Sequence, residues 1–181
     1  MSGSSFEHQE QAKAHAQRHA IRCAVLTVSD TRTTETDTGG ATIIALLGQA
    51  GFTVHERSLV KDQPEQIAPR LEQWLADPSV HAILTTGGTG IAKRDTTIEV
   101  VRRLLTVELE GFGELFRMLS WTEVGAASMM SRAVGGLVSR EVEAGGDTFI
   151  FAMPGSVNAV ETAMTKLIVP QLAHLVWERR K

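Results

Sequence analysis

Val80-His81-Ala82-Ile83-Leu84-Thr85-Thr86-Gly87-Gly88-Thr89-Gly90 reads as a short apolar strand that empties into a glycine-rich turn. The apolar run is too short for a helix and is bounded by glycine, so it fits a strand covered on both faces. Asp95 then opens a helical stretch carrying Ile98, Val101, Leu104 and Leu105. The same strand–turn–helix unit recurs on both sides. Upstream, Cys23-Ala24-Val25-Leu26-Thr27-Val28 is a buried strand ending in Ser29-Asp30, and a polar loop with Asp37-Thr38-Gly39-Gly40 follows. Ile43, Ile44, Leu46 and Leu47 then mark a helix that ends at Gly51. The residues from Phe52 to Val60 alternate loosely as a second strand, which Lys61-Asp62-Gln63-Pro64 breaks. Ile67, Leu71, Trp74 and Leu75 form one helical stripe.

Downstream, residues 111–121 predict a helix with Phe112, Leu115, Phe116 and Leu119 as its apolar set. Thr148-Phe149-Ile150-Phe151-Ala152-Met153 is a fourth strand, stopped by Pro154-Gly155-Ser156. A closing helix over 157–177 carries Val160, Met164, Leu167 and Ile168, and Pro170 should kink or split it. Strands alternating with helices of this length predict a three-layer α/β/α sandwich with a mostly parallel sheet.

The chain has 181 residues, enough for one globular domain that buries roughly 70% of its unfolded surface. Residues 1–20 read as a solvated, disordered arm and 21–178 as the domain. The arm's His8, His15 and His19 have no surrounding fold to fix a metal geometry. No apolar run reaches the ~18 residues of a membrane span, and the arm lacks the apolar core of a secretory signal. The single cysteine, Cys23, fits a reducing cytoplasm and reads as core. A net charge of -3, few aromatics and no tyrosine argue against nucleic-acid binding.

Ligands of parallel sheets bind beyond the carboxyl ends of the strands. Those positions hold Ser29 and Asp30, Asp62, the Gly87-Gly88-Thr89-Gly90 turn with Asp95, and Pro154-Gly155-Ser156. The turn reads either as a phosphate cradle of exposed amides or as a tight turn chosen for packing. It is neither a P-loop nor a dinucleotide fingerprint. Asp95 suits a helix cap or a Mg²⁺ ligand, and Asp62 with Glu65 suits a capping box or the same metal. The two together bracket the turn, which favours function. Pro154-Gly155-Ser156 offers amides to an anion or simply a serine cap. His81 reads as a structural histidine and Met129-Met130 as packing.

These segments, together with Arg94-Asp95, Glu110-Gly111-Phe112-Gly113-Glu114 and Met130-Ser131-Arg132, resemble the molybdenum cofactor biosynthesis MoaB/MogA family. The likeness covers about residues 20 to 178. It is greatest to the B-type members, through Phe112-Gly113-Glu114-Leu115-Phe116-Arg117-Met118-Leu119-Ser120. The resemblance implies a cytoplasmic molybdopterin adenylyltransferase that moves AMP from ATP to molybdopterin with release of pyrophosphate. It further implies Mg²⁺, homotrimers or hexamers, and contact with a molybdenum-insertion protein. On this likeness Asp62 and Asp95 are the catalytic and metal-binding pair, and Gly87, Gly88, Thr89 and Gly90 match the nucleotide and phosphate site. Ser29 and Asp30 would line its adjacent edge. Ser131, Pro154, Gly155 and Ser156 match surfaces for the pterin or its phosphate. A non-catalytic molybdopterin-binding or carrier protein on the same fold is the alternative. An interaction scaffold is a further one, with no second module in the sequence to support it.

Overall fold

A computed structural model describes residues 21–139 and 147–179. The N-terminal arm, with its three histidines, lies outside the described residues. In chain order the elements are β1 (Arg22–Val28), α1 (Thr38–Gln49), β2 (Thr53–Val60), α2 (Pro64–Leu75), β3 (Ala82–Thr86) and α3 (Thr97–Leu104). Then come β4 (Val107–Glu108), α4 (Glu110–Val124), a 3-10 segment (Gly125–Met130), β5 (Val134–Val138), β6 (Thr148–Met153), α5 (Val157–Ala163), a π-helical turn (Met164–Ile168) and α6 (Val169–Glu178).

The strands form one mixed sheet in the order β2-β1-β3-β6-β5-β4. The four strands expected from the sequence are the four parallel ones. β4 and β5 are additions to that expectation at one edge, where β5 runs against β6 and β4 runs against β5. The Gly135-Gly136 pair hides β5, because glycine lowers strand propensity. The packing nevertheless requires it: a Cβ at Gly135 would lie 2.5 Å from the Phe151 ring, and one at Gly136 would lie 2.4 Å from the Val107 carbonyl.

Helices cover both faces, so the parallel strands are apolar on both sides. On one face Val25, Leu84, Phe151 and Met153 pack with Ile43, Leu47, Phe116, Val160, Met164 and Leu172. On the other, Leu26, Ile83 and Ile150 pack with Ile67, Leu71 and Trp74 of α2 and with Ile98 and Val101 of α3. Each such side chain, fully buried, stabilises the fold by about 1.5–3 kcal/mol before entropy is counted. Trp74 satisfies its indole N–H on the Glu56 carboxylate at 2.6 Å. His81 is structural, as expected, since its Nδ1 accepts the Arg22 amide at 3.0 Å.

The last helical stretch runs through Pro170 without a gap, and what interrupts its α pattern is a π-helical turn ahead of the proline. Pro170 has no N–H for an i−4 carbonyl, and the π turn over Met164–Ile168 absorbs the mismatch before α6 begins. The Met129–Met130 packing expectation is corrected: Met129 is 81% exposed and Met130 is half exposed. On α4 only Phe112 and Phe116 of the expected apolar set are buried, while Leu115 faces outward. Among the described residues no helix is long and apolar enough to cross a membrane.

Burial in β1 pushes the Cys23 thiol up to about 12, which leaves almost no thiolate near neutrality. The native protein should therefore resist a thiol reagent such as DTNB at about pH 8 and release one equivalent only after denaturation. Rapid native labelling would contradict this burial.

Candidate active site

The sheet register builds the site. Val28 pairs with Val60, Thr27 with Thr86, and Thr86 with Met153, so the four parallel strands end nearly level. Their trailing residues therefore share one rim. β1 has β2 on one side and β3 on the other, so the connections reverse direction between β1 and β3. Parallel sheets leave a crevice at such a reversal. A cavity of about 390 Å³ lies there, walled by Thr27 to Ser29, Arg32, Asp37, Gly39, Thr86 to Gly90, Asp95, Met130, Ser131, Pro154 and Gly155.

Of the residues expected from the sequence, Ser29, Gly87, Gly88, Thr89, Gly90, Asp95, Ser131, Pro154 and Gly155 line this cavity. Asp30, Asp62 and Ser156 do not. Ser156 caps α5, accepting the Ala159 amide at 3.3 Å. Asp30 is on the rim, where its Oδ1 accepts the Asp62 amide at 3.2 Å. Asp62 sits immediately behind the turn and is only 9% exposed.

The capping readings of the two aspartates do not hold. Gln63, whose side chain caps no helix amide, is the residue at the start of α2, and Thr96 holds that place for α3. Asp62 Oδ1 instead accepts from the Thr96 amide at 3.1 Å and its hydroxyl at 3.0 Å. Asp95 Oδ2 accepts the Ala92 amide at 2.8 Å, closing its own loop.

Glycine is obligatory in the turn. Gly87 and Gly88 have φ of 93° and 63°, a region side chains disfavour. A Cβ on Gly88 would lie 2.5 Å from Asp62 Oδ2 and 2.3 Å from Thr97 Oγ1, and one on Gly90 would lie 2.5 Å from Asp95 Oδ2. Oxygens of two carboxylates and a hydroxyl thus press against the turn where side chains would otherwise stand. The Thr97 hydroxyl is buried with no hydrogen-bond partner.

Burial raises the Asp62 carboxyl above its ordinary value. The two Thr96 bonds offset this in part, and the Asp95 and Asp30 charges push it higher. The donor set is hard oxygen, the chemistry that suits Mg²⁺. Among the described residues, no group of three acidic, histidine or cysteine side chains is gathered to hold a metal alone. A hydrated Mg²⁺ arriving with a polyphosphate fits such a site, because that ion commonly takes one or two carboxylates and completes its shell with phosphate and water.

The opposite wall carries residues that sequence reasoning passed over. Asp37 caps α1 and is buried, accepting from Thr27 Oγ1 at 2.6 Å, the Gly40 amide at 2.9 Å and Arg57 at 2.7 Å. Burial alone would raise its carboxyl, but those bonds outweigh burial and hold it below its ordinary value. Arg32 donates to the Thr36 carbonyl at 2.6 Å and to Thr38 Oγ1 at 3.1 Å. The Asp-Thr-Gly-Gly spacing is a helix-start signal that could have marked Asp37. Nothing local marks Arg32.

The sequence profile described as "Probable molybdopterin binding domain" matches residues 24–174. The chain belongs to the MoaB/MogA family. It is 52% identical over 164 residues to molybdenum cofactor biosynthesis protein B of Staphylococcus carnosus, covering 89% of this chain and 92% of the relative. A crystal structure of a molybdenum cofactor biosynthesis protein B superposes with a TM-score of 0.82 at 46% identity, covering 89% and 96% of the two chains. The tungsten cofactor synthesizing protein MoaB of Pyrococcus furiosus superposes at 0.77 and 34% identity, covering 90% and 98%. The three-layer α/β/α fold is the family's.

The raised Asp62 carboxyl has a thermodynamic consequence. Its folded state binds a proton more tightly than its unfolded state does. The stability tied to the group is full below the ordinary carboxylate pKa and is lost as pH rises through the raised value. Asp62→Asn should therefore melt at a higher temperature than the parent near about pH 7, with the difference shrinking toward about pH 3. Thermal melts by circular dichroism across that range check it, and a lower midpoint at neutral pH would count against the repulsive cluster.

Proposed function

We propose that the protein acts in molybdenum cofactor biosynthesis as a molybdopterin adenylyltransferase. A phosphate oxygen of molybdopterin attacks the α-phosphorus of ATP, a new phosphoanhydride bond forms, and the bond to the departing pyrophosphate breaks. The pathway is supported by the family and by the names of its relatives. The observation that carries the reaction is the cavity at the β1/β3 reversal, with the Gly87–Gly90 turn in its wall and Asp95 and Asp62 against that turn.

Joining two phosphates brings several negative charges together, so the barrier is largely electrostatic. The Gly87 amide is spent on the Met153 carbonyl, but those of Gly88 and Gly90 can approach a phosphate closely because no Cβ intervenes. Asp95 and Asp62 would hold Mg²⁺ on the triphosphate. When bound, that ion would neutralise phosphate charge and polarise the phosphorus under attack. Thr96 holds the Asp62 carboxylate by two bonds, which fixes its direction. Ser29 and Asp30 complete the edge beside the turn. Ser131, Pro154 and Gly155, with the newly recognised Met130, would receive the pterin and its phosphate.

We further propose self-association as a homotrimer or a pair of trimers. Leu115, Met118, Trp121 and Val124 project from α4 into solvent, with Trp121 60% exposed, an apolar row that a second copy would cover. Light scattering at micromolar concentration should give a trimer or hexamer mass, and a stable monomer would count against it. The adenylylated product would pass to a molybdenum-insertion protein.

The deciding experiment is incubation with molybdopterin, Mg²⁺ and ATP, followed by mass detection of adenylylated pterin and of pyrophosphate. Both are expected, and Asp95→Asn should lower the rate by about 10²–10³-fold. Pterin binding without nucleotide turnover would sink the enzymatic reading and leave a non-catalytic molybdopterin-binding protein.

A further inference from the structure

The two walls of the cavity come from distant parts of the chain. One is the loop from Thr89 to Asp95, between β3 and α3. The other is the segment Met130–Ser131 that leads into β5. Arg132 stands between them. Its Nε donates to the Thr89 carbonyl at 2.9 Å, and its Nη2 donates to the carbonyls of Gly90 and Asp95, the latter at 3.2 Å. Its Nη1 pairs with the Glu99 carboxylate on α3. The loop's own bonds, from Ala92 N to Asp95 Oδ2 and from Asp95 N to the Ala92 carbonyl, are internal. Among the described residues its outside tie beyond Arg132 is the long, exposed Arg94–Asp30 ion pair at 4.0 Å.

A planar guanidinium presents five donors in a fixed fork, and here four of them go to three main-chain carbonyls and one carboxylate. The residue is therefore committed to protein rather than aimed at the cavity, although it directly follows Ser131 on the wall. Its acceptors include the carbonyl of Asp95 itself and those of two turn residues.

We propose that Arg132 is a positioning residue that fastens the two walls together and fixes Asp95 and the Thr89–Gly90 amides relative to Ser131. The catalytic part of this inference rests on the adenylyl-transfer reading, whereas the clamp itself does not. A lysine keeps the charge but cannot satisfy the three carbonyls in one plane, so Arg132→Lys isolates the geometry from the charge. Glu99→Gln removes the exposed ion pair and keeps the carbonyl clamp.

The test compares the full chain with both variants by two readouts. Hydrogen–deuterium exchange of amides 89–95 should be about tenfold faster in Arg132→Lys, and about as slow as in the parent in Glu99→Gln. With saturating Mg²⁺-ATP and molybdopterin, kcat of Arg132→Lys should fall by about 10²-fold, since small misplacements of reacting groups cost that much. Glu99→Gln should stay within about twofold. Unchanged loop exchange in Arg132→Lys would overturn the clamp, as would a Glu99→Gln variant damaged equally. Faster exchange with unchanged kcat would overturn the positioning role. A parent protein that transfers no AMP refutes the reaction proposed above, and the exchange result then still decides the clamp.

Discussion

The level ends of β1, β2, β3 and β6 are the constraint on which the rest depends. Parallel pairing in this register, with the connections reversing between β1 and β3, leaves a crevice that the helices cannot fill. Both hydrophobic layers serve that arrangement, because apolar strands can be parallel neighbours only when helices cover each face. The ladder even continues past the strands, with the Ser29 amide bonding Val60 and the Gly87 amide bonding Met153. The rim is thus an extension of the sheet, and the residues it presents inherit the sheet's rigidity.

Within that frame the site is assembled against electrostatic resistance. Asp62 is nearly buried, and the charges of Asp95 and Asp30 oppose its ionisation. A core selected for stability alone would not gather these carboxylates, so the arrangement belongs with sites that trade stability for function. Asp37 on the other wall is the contrasting case. Its carboxylate is fully answered by Thr27, Gly40 and Arg57, and it anchors α1. One carboxylate is answered within the scaffold, and the other is raised by burial and by neighbouring charge.

The antiparallel edge has a separate consequence. Because β5 runs opposite to its neighbour β6, its beginning rather than its end reaches the rim, Val134 pairing with Ala152. That is how Met130, Ser131 and Arg132, which precede a strand, come to stand beside residues that follow strands. The rule that ligands collect after strands finds Gly87 and Pro154 but passes over this segment unless the direction of β5 is known.

The sequence by itself determined the four parallel strands, the helices between them and the glycine-rich turn, because those features rest on short-range periodicity and on backbone freedom. It also brought Asp62 and Asp95 to notice, and family likeness attached Ser131 to the same site. Only the tertiary structure decided what each group does there. Local patterns suggested that both aspartates cap helices, yet Asp62 answers Thr96 across 34 positions and Asp95 closes its own loop. Asp37 and Arg132 take partners that become neighbours only once the chain is packed, Arg57 across 20 positions and Thr89 across 43. β5 stayed hidden because its two glycines, poor strand formers in isolation, are required by Phe151 and by the Val107 carbonyl pressing from outside the strand.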